Sequence, residues 1–129
     1  MQAVIFAAGV GERLGKDSHH LPKVLLKFGG KTLLERHLSN LQALGISQVT
    51  VGAGFAAKEI QEELYRLNAH HVDVVENPDY REGSIITLWT LRHVFLKADK
   101  TLFMDGDVLY DRKILQQLII SKNSNNFLI

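Results

Sequence analysis

The stretch AVIFAAGVGERLGKDSHHLPK, residues 3–23, decides how the chain is read. Five apolar residues, 3–7, run without a break into a loop with three glycines, and the loop closes on Pro22-Lys23. A short continuous apolar run bounded by glycine reads as a strand buried on both faces, the habit of a parallel sheet. Small residues directly after such a strand let backbone N–H groups approach a phosphate. Arg13 adds a fork of donors for phosphate oxygens. Lys23 adds a compact positive charge held by the rigid proline before it.

Three kinds of phosphate loop compete for this stretch. A P-loop needs G-x-x-x-x-G-K-[ST]. Here Gly9 and Gly15-Lys16 are one residue too far apart, Asp17 stands where Ser or Thr belongs, and Pro22 leaves little room for the helix that should follow. A dinucleotide loop needs G-x-G-x-x-G. Gly9 and Gly11 fit, but Leu14 holds the third place, and the second strand ends in VTVGAGF without the ribose-binding acid.

Outward from the loop, the chain alternates strand and helix. Residues 24–28 read as a short extended piece turned by Gly29-Gly30. Residues 33–44 form a helix, with Leu33, Leu34, His37, Leu38, Leu41 and Leu44 on one face and Gly45 as its stop. Strands follow at 48–51, 72–75 and 101–104, with a helix at 56–67 between the first two. Ser84 is the expected N-cap of a helix running to about residue 96, and Asp111 caps another to about residue 121. Residues 125–129 read as the start of a further strand. The pattern predicts an α/β fold of βαβ units, a Rossmann-like three-layer sandwich around a mostly parallel sheet. In such sheets ligands gather where strands give way to loops at the C-terminal edge. The opening loop and the Asp105-Gly106-Asp107 segment after the last strand both lie at that edge.

FAAGVGERLG, followed at a distance by LPK, resembles the signature of the nucleotidyltransferases that activate sugar phosphates and alcohol phosphates with a nucleoside triphosphate. The pattern is A-A-G-x-G-x-R, a variable loop, then P-K, and Ala7, Ala8, Gly9, Gly11, Arg13, Pro22 and Lys23 match it place for place. Two further segments sharpen the likeness. ENPDYREGSIITLWTLR and DGDVLYD are similar to stretches of the phosphocholine cytidylyltransferase-like branch, through Asn77, Pro78, Tyr80, Gly83, Ser84, Ile85, Leu88 and Trp89, then Asp105 and residues 107–111. The resemblance implies a GT-A-like domain of which residues 1–129 form the nucleotide-binding, N-terminal portion, CTP as the favoured donor and a phosphorylated small alcohol as acceptor. It implies Lys23, Arg13 and Asp107 as catalytic residues. Ala7, Ala8, Gly9, Gly11, Arg13, Lys23, Gly83 and Ser84 would bind nucleotide. Mg²⁺ would sit on Asp107, with Asp105, two residues earlier in an extended run, as second ligand or supporting partner. The family's domain continues beyond this length and brings another acidic ligand, so the chain looks truncated.

The remaining residues narrow the choice. Trp89 lies among Ile85, Ile86 and Leu88, which points to core packing rather than to a cation-binding ring. His19-His20 and His70-His71 are adjacent pairs whose side chains diverge, so neither is expected to hold a metal. The net charge is +1, from 15 Lys+Arg and 14 Asp+Glu, which gives no reason to expect nucleic acid. Cysteine is absent, which excludes disulfides and thiolate zinc. No apolar run nears the roughly 20 residues of a membrane span. No secretory leader fits before the first strand, so a cytoplasmic location is expected. An unfinished sheet should expose an apolar edge and favour self-association. Alternatives to a cytidylyltransferase are a sugar-phosphate enzyme using UTP, a nucleotide-binding module without turnover, and a dinucleotide-binding protein.

Overall fold

The computed structural model describes residues 1–9 and 21–127. Its centre is a four-stranded, all-parallel sheet. The strands are β1 (Gln2–Ala7), β4 (Gln48–Ala53), β5 (Val72–Glu76) and β6 (Thr101–Asp105), in the order β5-β4-β1-β6. A separate hairpin pairs β2 (Lys27–Phe28) with β3 (Lys31–Thr32). The helices are α1 (Leu33–Ala43), α2 (Ala57–Arg66), α3 (Ser84–Thr90), α4 (Arg92–Phe95) and α5 (Arg112–Ile120).

Alternation along the strands assigns two faces. Ala3, Ile5, Val49, Val51, Leu102 and Met104 join Leu34 and Leu41 of α1, Ile60 and Leu64 of α2 and Leu115 of α5 in one buried cluster. On the opposite face Phe103 stacks on Phe6, Phe95 of α4 meets it edge-on, and Leu91 and Thr87 lie against Gly52. The result is the expected three-layer α/β sandwich. The chain moves outward from β1 to β4 to β5, then crosses back to place β6 on the other side of β1. The strand order therefore reverses between β1 and β6, where a crevice opens at the C-terminal ends.

Local chemistry explains most boundaries. Thr32 caps α1 by accepting the Glu35 amide at 3.1 Å, and Asp111 caps α5 by accepting the Lys113 amide at 2.7 Å. The structure departs from several expectations. Residues 24–28 are not one extended piece: Lys23–Leu25 is a 3₁₀ turn, and only Lys27–Phe28 is strand, paired across Gly29-Gly30. The helix expected from Ser84 to residue 96 breaks at Leu91, just after Thr90 turns its hydroxyl back onto the Ile86 carbonyl at 2.9 Å. Trp89 is not in the core; it is 64% exposed, with the Arg92 guanidinium 4.4 Å above its ring. Thr87 and Leu91, one helical turn apart, take the inward face instead. Residues 125–127 form no strand, and Phe127 is exposed.

The β6 edge carries an open apolar groove of about 1030 Å³ whose lining includes Phe95, Phe103, Leu118 and Phe127. Among the described residues no helix is long and apolar enough to cross a membrane.

Candidate active site

The crevice between β1 and β6 holds a cleft of about 730 Å³. Each wall has a local cause. Ala7 ends β1 and Ala8-Gly9 continue it as one wall, with no side chain large enough to fill the space. Pro22 is extended, with φ −61° and ψ 141°, and delivers Lys23 into the first position of a 3₁₀ turn. Asp105 ends β6, and Gly106 and Asp107 turn away from it. Tyr80, Gly83 and Ser84 close the far side.

Lys23 Nζ lies 3.0 Å from Asp107 Oδ2, joining the end of the opening loop to the DGD segment across 84 positions. Both side chains are partly exposed, so the pair contributes little to stability and marks where opposite charges meet. Asp105 and Asp107 both line the cleft, but the extended spacing expected between them fails at Gly106. The Val108 amide reaches back toward the Asp105 carbonyl at 3.4 Å, so the chain turns and Asp107 leaves the strand direction. Among the described residues no group of three or more His, Cys, Asp or Glu surrounds a metal position. Asp105 and Asp107 nevertheless bring to that cleft the hard carboxylate oxygens that Mg²⁺ would take.

Ser84 does not cap α3. Gly83 occupies that place with φ +106° and ψ 173°, a conformation that excludes side-chain-bearing residues, and Ser84 is the first helical residue. Gly11 and Arg13 lie outside the described residues, as do Lys16, Asp17, His19 and His20. The structure thus brings together Ala7, Ala8, Gly9, Lys23, Gly83, Ser84, Asp105 and Asp107 around one cleft.

Several residues that shape the site were given no site role from sequence. Asn77 is 1% exposed and ties three segments: its amide bonds the Ala53 carbonyl at 2.8 Å, its Nδ2 donates to Thr87 Oγ1 at 2.9 Å, and its Oδ1 accepts the Asp79 amide at 2.9 Å. Tyr80 packs on Phe55, and Arg81 lies 5.7 Å from the Tyr80 ring centre. His37, read from sequence only as an inward helical position, is fully buried with Nε2 3.0 Å from the Gly106 carbonyl. Tyr110 accepts the Asp105 amide at 3.1 Å. Burial holds the His37 imidazole below the ordinary histidine range, against the opposing pull of the Gly106 carbonyl and the Asp107 charge. Burial likewise raises the Tyr110 hydroxyl above its ordinary value. A polar residue on an otherwise leucine-lined face was the available signal for His37.

Residues 3–126 match the MobA-like NTP transferase domain. The chain belongs to that family. Its membership leaves the P-loop and dinucleotide-loop readings without support. It is 30% identical over 122 residues to the CMP-5'-(3-aminopropyl)phosphonate synthase of Streptomyces rubellomurinus, covering 92% of this chain and 19% of the relative. It is 30% identical over 113 residues to the N-acetylmuramate alpha-1-phosphate uridylyltransferase of Neisseria meningitidis serogroup B, covering 86% of this chain and 48% of that protein. Its fold is that of the inositol-1-phosphate CTP transferase from T. maritima, with a TM-score of 0.79 at 22% identity, over 95% of this chain and 49% of the other. The chain spans about half, or less, of the length of these relatives.

Proposed function

We propose that this MobA-like NTP transferase domain supplies the nucleotide half of a nucleotidyltransferase site, moving a nucleoside monophosphate onto a phosphorylated or phosphonate small molecule, with CTP the favoured donor. The observation that carries this is the Lys23–Asp107 contact at 3.0 Å, which sets a cation and a carboxylate together where β1 and β6 part. Support for CTP comes from the cytidylyltransferase-like segments at 76–92 and 105–111, and from the CMP named in the phosphonate synthase. Phosphocholine is one acceptor within this class; a sugar phosphate with UTP, as in the uridylyltransferase, is the competing one.

In the proposed reaction an oxygen of the acceptor's phosphate or phosphonate attacks the α-phosphorus of the triphosphate in line. A new P–O bond forms, the α–β bridging P–O bond breaks, and pyrophosphate departs. The attacking oxygen is already anionic, so no general base is needed. Catalysis is then positioning and charge neutralisation. Lys23 serves the charge near the attacked phosphorus, the Ala8-Gly9 backbone leaves room for phosphate to approach, and Arg13 is assigned to the departing pyrophosphate. Asp107 and Asp105 would hold Mg²⁺, which when bound neutralises phosphate charge. Gly83 and Ser84 would meet the base edge. The protein is expected to work in the cytoplasm.

Calorimetric titration with CTP, UTP and ATP, each with and without Mg²⁺, tests the reading. Mg²⁺-dependent CTP binding that is lost in Asp107→Ala is expected. Silence toward all three triphosphates overturns it, and preference for UTP moves it to the sugar-phosphate class.

A further inference from the structure

Helix α1 presents leucines to the core at Leu33, Leu34 and Leu41, but at the fully buried position 37 it presents histidine. Leucine there would bring no polar atom of its own into the core. Histidine leaves Nδ1 buried and without a hydrogen-bond partner among the described residues. An orphaned buried polar atom is a standing cost, which asks what the other ring nitrogen supplies. A carbonyl oxygen can only accept, so the contact with Gly106 puts the proton on Nε2.

We propose that His37 is a positioning residue for the Asp105–Asp107 turn, holding the Gly106-Asp107 peptide so that the Asp107 carboxylate faces Lys23 and the nucleotide phosphates. The inference rests on the proposed function and deepens it. Gly106 is gripped at both ends: its amide donates to the Phe6 carbonyl at 2.8 Å, and its carbonyl accepts from His37 at 3.0 Å. That carbonyl belongs to the peptide leading into Asp107, so its direction sets where the Asp107 side chain begins. One helical turn further on, Asn40 Nδ2 donates to the Tyr110 carbonyl at 3.2 Å, while the Tyr110 hydroxyl takes the Asp105 amide. The His37 and Tyr110 rings stand 5.8 Å apart. Helix α1 thus supports the turn from beneath at two points, and the carboxylates stand on a braced base rather than on a free loop.

The test compares the unchanged protein with His37→Leu, which removes the donor, and His37→Gln, which keeps one. Leu41→Ala serves as a control for general loosening of α1. Amide hydrogen exchange at Gly106 and Val108 should accelerate at least tenfold in His37→Leu, return toward normal in His37→Gln, and follow only the global change in Leu41→Ala. The Mg²⁺ concentration that half-saturates CTP binding should rise several-fold in His37→Leu alone. Imidazole ¹⁵N shifts of the unchanged protein should show the Nε2-protonated tautomer, a reading that needs no variant. Unaltered exchange in His37→Leu, a Gln variant as loose as the Leu variant, or an Nδ1-protonated ring each overturns the proposal. If the unchanged protein binds no Mg²⁺–nucleotide, the proposed function falls, while exchange and tautomer still decide the brace.

Discussion

Gly106 admits no side chain. A Cβ placed there would stand 2.6 Å from the Phe6 carbonyl oxygen, which is itself held by the Gly106 amide. Gly106→Ala must therefore break that bond or move β1, at a cost of about 1–3 kcal/mol, and should displace Asp107 with it. Urea unfolding would read the first effect and Mg²⁺–CTP titration the second; a change under about 0.5 kcal/mol would show that the turn yields freely. Under the proposed function, Lys23→Ala should lower kcat by roughly 10²–10³-fold, the scale of losing one preorganised charge. A loss of only a few-fold in steady-state kinetics would remove Lys23 from the chemistry. His37 has a pH consequence of definite sign. The unfolded chain titrates near the ordinary value of 6.5, while burial lowers the folded value. Below pH 6.5 the unfolded state binds a proton that the folded state refuses, so acidification destabilises the fold by up to about 1.4 kcal/mol per pH unit until the folded value is reached. The stability lost between pH 7.5 and 5.5 should be smaller in His37→Gln; equal losses would show that His37 protonates freely in the fold.

At the scale of elements, the α3–α4 break separates two kinds of apolar residue. Leu91 is fully buried against Gly52, and its loss to alanine should cost about 2–5 kcal/mol. Trp89, two residues away, is mostly exposed under Arg92, and Trp89→Ala should cost no more than about 1 kcal/mol, the scale of an exposed cation–π contact. Parallel urea melts decide this, and equal costs would return Trp89 to the core. Residues 85–89 showed that the segment was apolar and helical. They could not show which face would meet the sheet, because Ile85, Leu88 and Trp89 are as hydrophobic as the residues actually buried. The choice fell to Thr87, since Asn77 Nδ2 meets its hydroxyl from beneath.

For the whole molecule, the decisive feature is the return of the chain from β5 to β6 across β1, which sets Ala8-Gly9 and the Gly106-Asp107 turn around one crevice. Under the proposed function, Mg²⁺–CTP binds that crevice in the folded state alone. At a hundredfold excess over Kd it should add about 2.7 kcal/mol and raise the thermal midpoint by roughly 10 °C. A midpoint indifferent to Mg²⁺–CTP in differential scanning would mean that this cleft does not hold the nucleotide. The apolar groove beside β6 adjoins that crevice, and among the described residues Asp105 is the one the two share.

Periodicity and glycine placement were enough to read the parallel α/β fold, since an uninterrupted apolar run must be buried on both faces and alternating helices must cover them. The resemblance to the nucleotidyltransferase signature gathered Ala7, Ala8, Gly9, Lys23 and Asp107 as one candidate group. Folding supplied the rest through contacts between residues far apart in the chain. The turn that takes Asp107 off the β6 direction, Gly83 in place of Ser84 as the cap, and the bracket made by Asn77 all depend on which segments lie beneath them. So does His37, whose polarity was visible in a leucine face but whose partner, 69 positions away, existed only once α1 had packed under the β6 turn.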